Sequence, residues 1–393
     1  MIHRPTPAEL GYRMPAEWHP HSATWLAWPK DPLTWPDRVP QVEEIFLRMM
    51  RELSPYEAVN LLVDDEATEA AVRHRCAFAG AENIRFHQIA TVDSWVRDYG
   101  PNFLVSDKLS DKLQFVAGSE ASPHPGTMPH TEGDDKLKFV GQFVGLAYND
   151  WVFNAWGNKY EELKKDDAIP ARLQGALGIP RFEPGIVLEG GAIDVNGAGM
   201  VMTTEQCLLH PNRNPKLERH EIEQHLKDYL GVEKVLWLGE GIVGDDTDGH
   251  IDDIARFVSP TTIVCAVEEN PDDANYNLLQ DNLERLRLAT DVNGRSFEIV
   301  TLPMPGIVSA SDDTSERNLE RLPASYANFY IANNVVLVPI FGHANDGRAL
   351  EIIQRLFPDR RAVGINCEPL VWGMGTIHCV TQQQPYPRIT QII

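Results

Sequence analysis

The sequence contains no run approaching the ~20 apolar residues that span a bilayer. Its first residues, Met1-Ile2-His3-Arg4-Pro5-Thr6-Pro7, lack an apolar signal core. Cysteine is sparse: Cys76, Cys207, Cys265, Cys367 and Cys379 make five, an odd number, with no CxxC pair. That argues against a disulfide frame and a cysteine-type zinc site, and the expected compartment is the reducing cytoplasm. No GxGxxG follows a strand pattern and no GxxxxGKS occurs, so no phosphate-cradling loop is expected. Basic residues are few, 35 Lys and Arg against 57 Asp and Glu, giving a net charge of −22. A field of that sign repels phosphate backbones and anionic lipid, so nucleic acid and membrane surfaces are not expected partners. It suits a cationic ligand, and it equally suits solubility.

The chain has 393 residues, 43% of them hydrophobic, enough to bury a substantial core. Strand-like runs cover 24–28, 58–63, 84–89, 138–144, 185–188, 234–238, 262–267, 297–302, 334–340 and 362–365. Helical periodicity lies between them, over 42–53, 65–79, 215–229, 272–288 and 346–357. The alternation means α/β, and without a composition break the expectation is a single catalytic domain spanning 1–393. Residues 119–135, rich in Ser, Pro, Gly and His, read as a long surface loop, either a lid or a structureless insertion.

Three polar clusters stand out. Asp93-Ser94-Trp95-Val96-Arg97-Asp98-Tyr99-Gly100-Pro101 follows a strand and suits a binding loop, or an Asp–Arg pair closing a turn. Gly244 to Asp253 sets His250 among carboxylates. That fits an acid/base centre, a hard-cation site or a solvated turn. The third cluster, Gly373 to Pro385, presents Cys379 from a glycine loop running into a strand-like stretch. A lone Cys is commonly a small buried hydrophobe. If Cys379 is a nucleophile, adjacent His378 is a poor base because it faces the other way, and His250 is the natural partner.

Taken in order, the motifs are Gly11-Tyr12-Arg13-Met14-Pro15, Asp93 to Pro101, Phe153 to Tyr160, Leu188-Glu189-Gly190-Gly191 and Asn212-Arg213-Asn214-Pro215, then Thr247-Asp248-Gly249-His250-Ile251-Asp252, Ala324 to Asn333 and Ile377-His378-Cys379. With them the chain resembles the agmatine deiminase family, within the guanidino-group-modifying superfamily that includes arginine deiminase and peptidylarginine deiminase. The likeness covers nearly the whole chain. It implies a five-fold pseudosymmetric α/β propeller of the pentein type. It also implies Cys379 as nucleophile, His250 as general acid/base, Asp98 and Asp252 as the grip on a guanidinium, and Glu189 beside the catalytic His. Trp95 falls where the family lines its substrate channel. No metal or organic cofactor is implied. The implied partner is a small cationic guanidino substrate, and a homodimer is an open expectation.

Paired carboxylates match the planar, doubly donating guanidinium. The implied reaction converts agmatine to N-carbamoylputrescine and ammonia through a covalent thiouronium on Cys379. Three positions depart from the family pattern. Leu10 stands where an acidic residue usually precedes the Gly-aromatic-Arg-Met-Pro motif, with Glu9 one residue earlier, and Met374 and Thr376 replace the usual Gly and Asn. Leu10 and Glu9 are therefore expected near the far end of the substrate. Another guanidino compound or arginine derivative is the alternative substrate. A metal-dependent hydrolase built on 245–253 and a non-catalytic binder are the rival classes.

Overall fold

The structure, a computed structural model, describes residues 4–106, 145–309 and 321–387. The expected strand at 138–144 and the loop at 119–135 lie outside these. Among the described residues the strands gather into five small sheets. The first joins Tyr12–Arg13, Asn102–Ser106, Leu146–Asn149 and Arg181–Phe182. The second is Asp194–Val195, Met200–Thr204 and Lys234–Leu238; the third is Ala255–Phe257, Thr262–Val267 and Glu298–Pro303. The fourth is Tyr330–Ala332, Val335–Ile340 and Arg361–Asn366. The fifth unites the two ends of the chain, pairing Gln382–Pro385 with His21–Ala27, followed by Ala58–Val63 and Ile84–Gln88.

One pairing scheme recurs. In every sheet an antiparallel strand leads into the next, which then pairs in parallel with a third. Parallel neighbours need a crossover, and helices supply it. Examples are Arg219–Leu230 in the second sheet, Tyr276–Leu288 in the third and Asp346–Leu356 in the fourth. Strands covered by a helix read as continuous apolar runs, as in the buried Val335–Val338.

Helix limits follow from local chemistry. Val39–Leu53 buries Val42, Ile45, Phe46, Met49, Met50 and Leu53, one stripe at 3.6-residue spacing. Glu66–Ala79 is capped by Asp65, which accepts from the Thr68 N–H at 2.8 Å, and ends at Gly80 with φ +73°. The expected helix from 215 starts instead at Arg219, because Glu218 and Glu221 form a capping box there. The expected strand at 185–188 makes a single bridge, Val187 to Val152. The Ile186 carbonyl and Leu188 N–H bond Val152, while the Asn214 side chain takes both the N–H and the carbonyl of Val187 on the opposite edge. Among the described residues no helix is long and apolar enough to cross a membrane.

The fourth sheet sits within the largest apolar cluster, with Leu337 fully buried at its central strand. Leu337→Ala is expected to cost about 2–5 kcal/mol through lost transfer energy and a residual cavity. A urea titration should show the midpoint falling with an unchanged slope.

Candidate functional site

Four segments place a chemistry-bearing side chain shortly before the leading antiparallel strand of a sheet. Asp98 precedes Asn102–Ser106, Glu189 precedes Asp194–Val195, Asp252 precedes Ala255–Phe257 and Cys379 precedes Gln382–Pro385. All four side chains are buried, as is His250. Asp98 and Cys379 line a cavity of about 490 Å³ walled by Trp95, Trp156 and Met374, among others.

Gly191 marks where the groups meet. A Cβ there would lie 2.6 Å from His250 Nδ1, 2.9 Å from Asp98 Oδ1 and 3.1 Å from Asp252 Oδ2. Its backbone N–H donates to Asp98 Oδ1 at 2.8 Å, and Trp156 Nε1 donates to Asp98 Oδ2 at 2.9 Å. Ala155 and Trp156 reach this position with φ +55° and +51°. Two consecutive left-handed residues without glycine cost roughly 1–2 kcal/mol each, strain of the kind that accumulates at functional sites. Arg97, beside Asp98, points elsewhere: Nε donates to the His378 carbonyl at 3.2 Å and Nη1 to Gln383 Oε1 at 2.7 Å. The turn-closing Asp–Arg pair therefore does not form; Asp98 faces the cavity and Arg97 holds the Cys379 turn.

Within the strand-like stretch expected after the glycine loop, residues 377–380 form a turn and the strand begins at Gln382; the Thr381 hydroxyl donates to the Ile377 and His378 carbonyls at 3.0 Å each. Cys379 Sγ lies 3.9 Å from Asp252 Oδ2. His378 is turned away from the thiol and held between carboxylates. Nδ1 is 2.7 Å from Asp252 Oδ2 and Nε2 is 2.7 Å from Glu17 Oε2, so both ring nitrogens face carboxylate oxygens. His250 is the remaining imidazole. Its Nδ1 is 3.8 Å from Asp98 Oδ1, and its backbone N–H is anchored on Asp245 Oδ2 at 3.0 Å.

Crowding separates these groups electrostatically. Burial, then the Asp252 charge, raises the Asp98 carboxyl to about 8. Burial also raises Asp252, but the His378 hydrogen bond and charge outweigh it and hold this carboxyl below its usual range. Burial, then Asp252 and Asp245, pushes Asp253 well up. Burial lowers His250 to about 3, so its imidazole is neutral near pH 7. Burial, followed by Asp252, Asp253 and Asp98, raises the Cys379 thiol well above its ordinary value. All of these shifts except that of Asp252 favour the uncharged form of the group.

Glu189 accepts from Arg213 Nε at 2.8 Å, and Arg213 Nη2 donates to the Thr247 carbonyl at 2.7 Å. The arginine thus ties Glu189 to the His250 loop. The carboxylates of 245–253 do not converge on an ion. Asp245 accepts from Thr247, Gly249 and His250 N–H groups, and Asp248 accepts from Asn212 and Lys159. The group among the described residues that could hold a metal is Glu189, Cys207 and His250, with ligand atoms within 4.8 Å of one another.

Glu9 and Leu10 are not brought to the cavity. Glu9 Oε2 accepts from the Thr6 N–H at 2.8 Å, and Leu10 packs on the cluster containing Tyr12, Leu226 and Leu230. The Ala8 and Met14 N–H groups bond the Asp228 and Leu230 carbonyls, fastening this turn to helix Arg219–Leu230. Trp95 does line the cavity. Glu17, Trp156, Arg213 and Gly191 were missed as site residues. All four lie in motifs quoted above or beside them, but their roles are contacts with residues far along the chain.

Gly191→Ala tests the convergence. Its φ is not in the left-handed region, so the backbone tolerates the change, but the methyl displaces His250 or Asp98. Misplacement of about 1 Å should lower kcat by about 10²-fold, with the circular dichroism spectrum unchanged.

The family described as Porphyromonas-type peptidyl-arginine deiminase matches residues 13–385. An agmatine deiminase of Stutzerimonas stutzeri is 35% identical over 398 residues, covering 97% of this chain and 98% of its own. That of Ectopseudomonas mendocina is 34% identical over 399 residues, covering 98% of each. The solved agmatine deiminase of Enterococcus faecalis superposes with a TM-score of 0.81 at 33% identity, covering 98% of this chain and 99% of its own.

Proposed function

Because the chain belongs to the Porphyromonas-type peptidyl-arginine deiminase family, we propose that it hydrolyses agmatine to N-carbamoylputrescine and ammonia through a covalent Cys379 intermediate. The observation that carries this reading is the convergence of Asp98, Asp252, His250 and the Cys379 thiol on Gly191 and the cavity beside it. The agmatine deiminases at 34–35% identity support the substrate. The five sheets with one pairing scheme support a five-fold pseudosymmetric propeller forming one catalytic domain.

The chemistry follows from placing a cation among these carboxylates. A guanidinium set between Asp98 and Asp252 lets Asp98 ionise and cancels the field that holds the Cys379 proton. The thiolate attacks the guanidinium carbon, forming the C–S bond. The thiol proton passes to His250 as the sulfur attacks, and His250 hands it to the departing nitrogen; ammonia leaves as the C–N bond breaks. An S-alkylthiouronium remains. His250, neutral again, removes a proton from water; the hydroxide adds to the same carbon and the C–S bond breaks, returning the thiolate and the ureido product. Glu189, fixed by Arg213, lies within 4.8 Å of the His250 ring. Trp95 and Trp156 wall the guanidinium off from water, which strengthens each carboxylate contact. The distal ammonium extends toward the acidic mouth, where Asp31, Asp246 and Glu161 line the cavity.

Ammonia release from agmatine, with N-carbamoylputrescine identified by mass, tests the assignment. Cys379→Ser should lower kcat by more than about 10³-fold, since a hydroxyl is hardly ionised near pH 7. The wild-type enzyme quenched in acid should carry the amidine mass on the peptide containing Cys379. Turnover of an arginine derivative with none of agmatine would retain the reaction class and replace the substrate.

The pH dependence has a definite sign. The free Asp98 carboxyl is protonated below about 8 and the cation binds its ionised form. kcat/KM for agmatine should therefore rise with pH toward a plateau beyond about 8, losing tenfold per unit on the acid side. The kcat limb should lie lower, because the bound cation depresses the same carboxyl. Asp98→Asn should abolish this limb along with most activity.

A further inference from the structure

Four sheets contribute a site residue just before their leading strand; the fourth sheet in chain order, led by Tyr330–Ala332, was left without one. The residue in that place is Asn328, fully buried in the motif Ala324 to Asn333. Its Nδ2 lies 3.2 Å from Cys379 Sγ. Its Oδ1 accepts from Thr376 Oγ1 at 2.6 Å and from the His378 backbone N–H at 3.0 Å. A backbone N–H can only donate, so the atom facing it is the amide oxygen, and the NH₂ is turned toward the sulfur. Sγ also lies 3.4 Å from Oδ1, the longer of the two contacts.

The surrounding backbone is pinned on both sides. Arg256 Nη1 donates to the Phe329 carbonyl at 2.8 Å and to the Ala327 carbonyl at 3.3 Å. The Ser325 hydroxyl bonds the Asp253 carbonyl at 2.7 Å. The amide is thus held in place before any substrate arrives.

We propose that Asn328 is a further catalytic residue, whose side-chain N–H donates to the Cys379 thiolate and stabilises it for attack, with Thr376 and the His378 N–H as the lock on its orientation. This rests on the reading of Cys379 as nucleophile. The titratable groups facing the sulfur from other segments are Asp98, Asp252 and Asp253. Within its own turn, His378 directs its ring to Asp252 and Glu17. Arg256 ion-pairs with Glu17 and Asp194, and Arg97 binds Gln383. The cations of the site are therefore committed to carboxylates or to main chain. The substrate's positive charge is neutralised in the tetrahedral adduct, returns on the thiouronium once ammonia leaves, and is lost with the neutral ureido product. The thiolate that leaves again after hydrolysis faces carboxylates with the cation gone. A neutral donor that does not titrate serves both the first attack and the last departure.

The test follows iodoacetamide alkylation of Cys379 against pH, located by peptide mass, alongside steady-state kinetics and a urea midpoint. Asn328→Asp keeps the shape and replaces the donor by an acceptor. It should move the alkylation midpoint up by about one pH unit or more, a tenfold loss of rate at fixed pH. kcat should fall by about 10²-fold, with KM changing less. Thr376→Val frees Oδ1 and should shift the midpoint in the same direction by a smaller amount; Thr376→Ser should restore it. An unshifted midpoint in both Asn328→Asp and Thr376→Val, with Cys379 still labelled, overturns the proposal. If Asn328→Asp does not fold, Thr376→Val against Thr376→Ser decides it. If Cys379→Ser keeps wild-type turnover, the nucleophile reading itself fails and takes this inference with it.

Discussion

Burying several carboxylates around one point is the constraint on which the rest of this structure depends. Glu17, Asp98, Glu189, Asp194, Asp252 and Asp253 are all at most 7% exposed. An unpaired buried charge costs several kcal/mol, so the fold supplies partners to all but the few that a ligand is meant to satisfy. Arg256 Nε bonds Asp194 at 2.5 Å and its Nη2 lies 2.9 Å from Glu17. Arg213 serves Glu189, and His378 bridges Glu17 and Asp252. Burial and the Asp252 charge raise the proton affinity of Asp98, and its two neutral donors, Trp156 Nε1 and the Gly191 N–H, do not offset them, whereas His378 more than offsets burial at Asp252.

That asymmetry links structure to chemistry. Two carboxylates pushed apart in proton affinity, a neutral imidazole and a protonated thiol form a resting site in which little is ionised for attack. In the proposed reaction a guanidinium reverses the balance in one step, because its charge stabilises both the Asp98 anion and the thiolate. Reactivity is thereby tied to occupancy. The glycines at 190 and 191 make the arrangement sterically feasible, since a side chain at Gly191 would occupy the space where His250, Asp98 and Asp252 meet.

The repeated sheet accounts for how such a site is assembled. Leading strands bring their preceding residues inward, so residues from five distant stretches of sequence share one point. The chain ends close this arrangement: Gln382–Pro385 joins the sheet begun by His21–Ala27, and Trp25 Nε1 bonds Gln384 Oε1 at 2.8 Å. Cys379, near the end of the sequence, is thereby set beside Asp98, and Glu17, near its start, reaches His378. Met374, with φ +71°, adopts a left-handed backbone between Gly373 and Gly375, both of which abut the Trp95 ring.

The α/β alternation, most helix and strand positions and the order of the polar motifs were legible in the sequence, because hydrophobic periodicity and turn chemistry are local properties. Ala58–Val63, Lys234–Leu238 and Thr262–Val267 have the limits that their apolar runs imply. The candidate nucleophile, imidazole and carboxylates stand in recognisable motifs for the same reason. What a residue touches is not local. That His378 bridges two carboxylates, that Arg97 and Asp98 point apart, that Asn328 lies against Cys379 and that Leu10 faces a helix rather than the cavity depend on pairings across as many as 361 positions. Such contacts are set by which sheet each strand joins and by where buried charge finds a partner, and only the tertiary structure decides those.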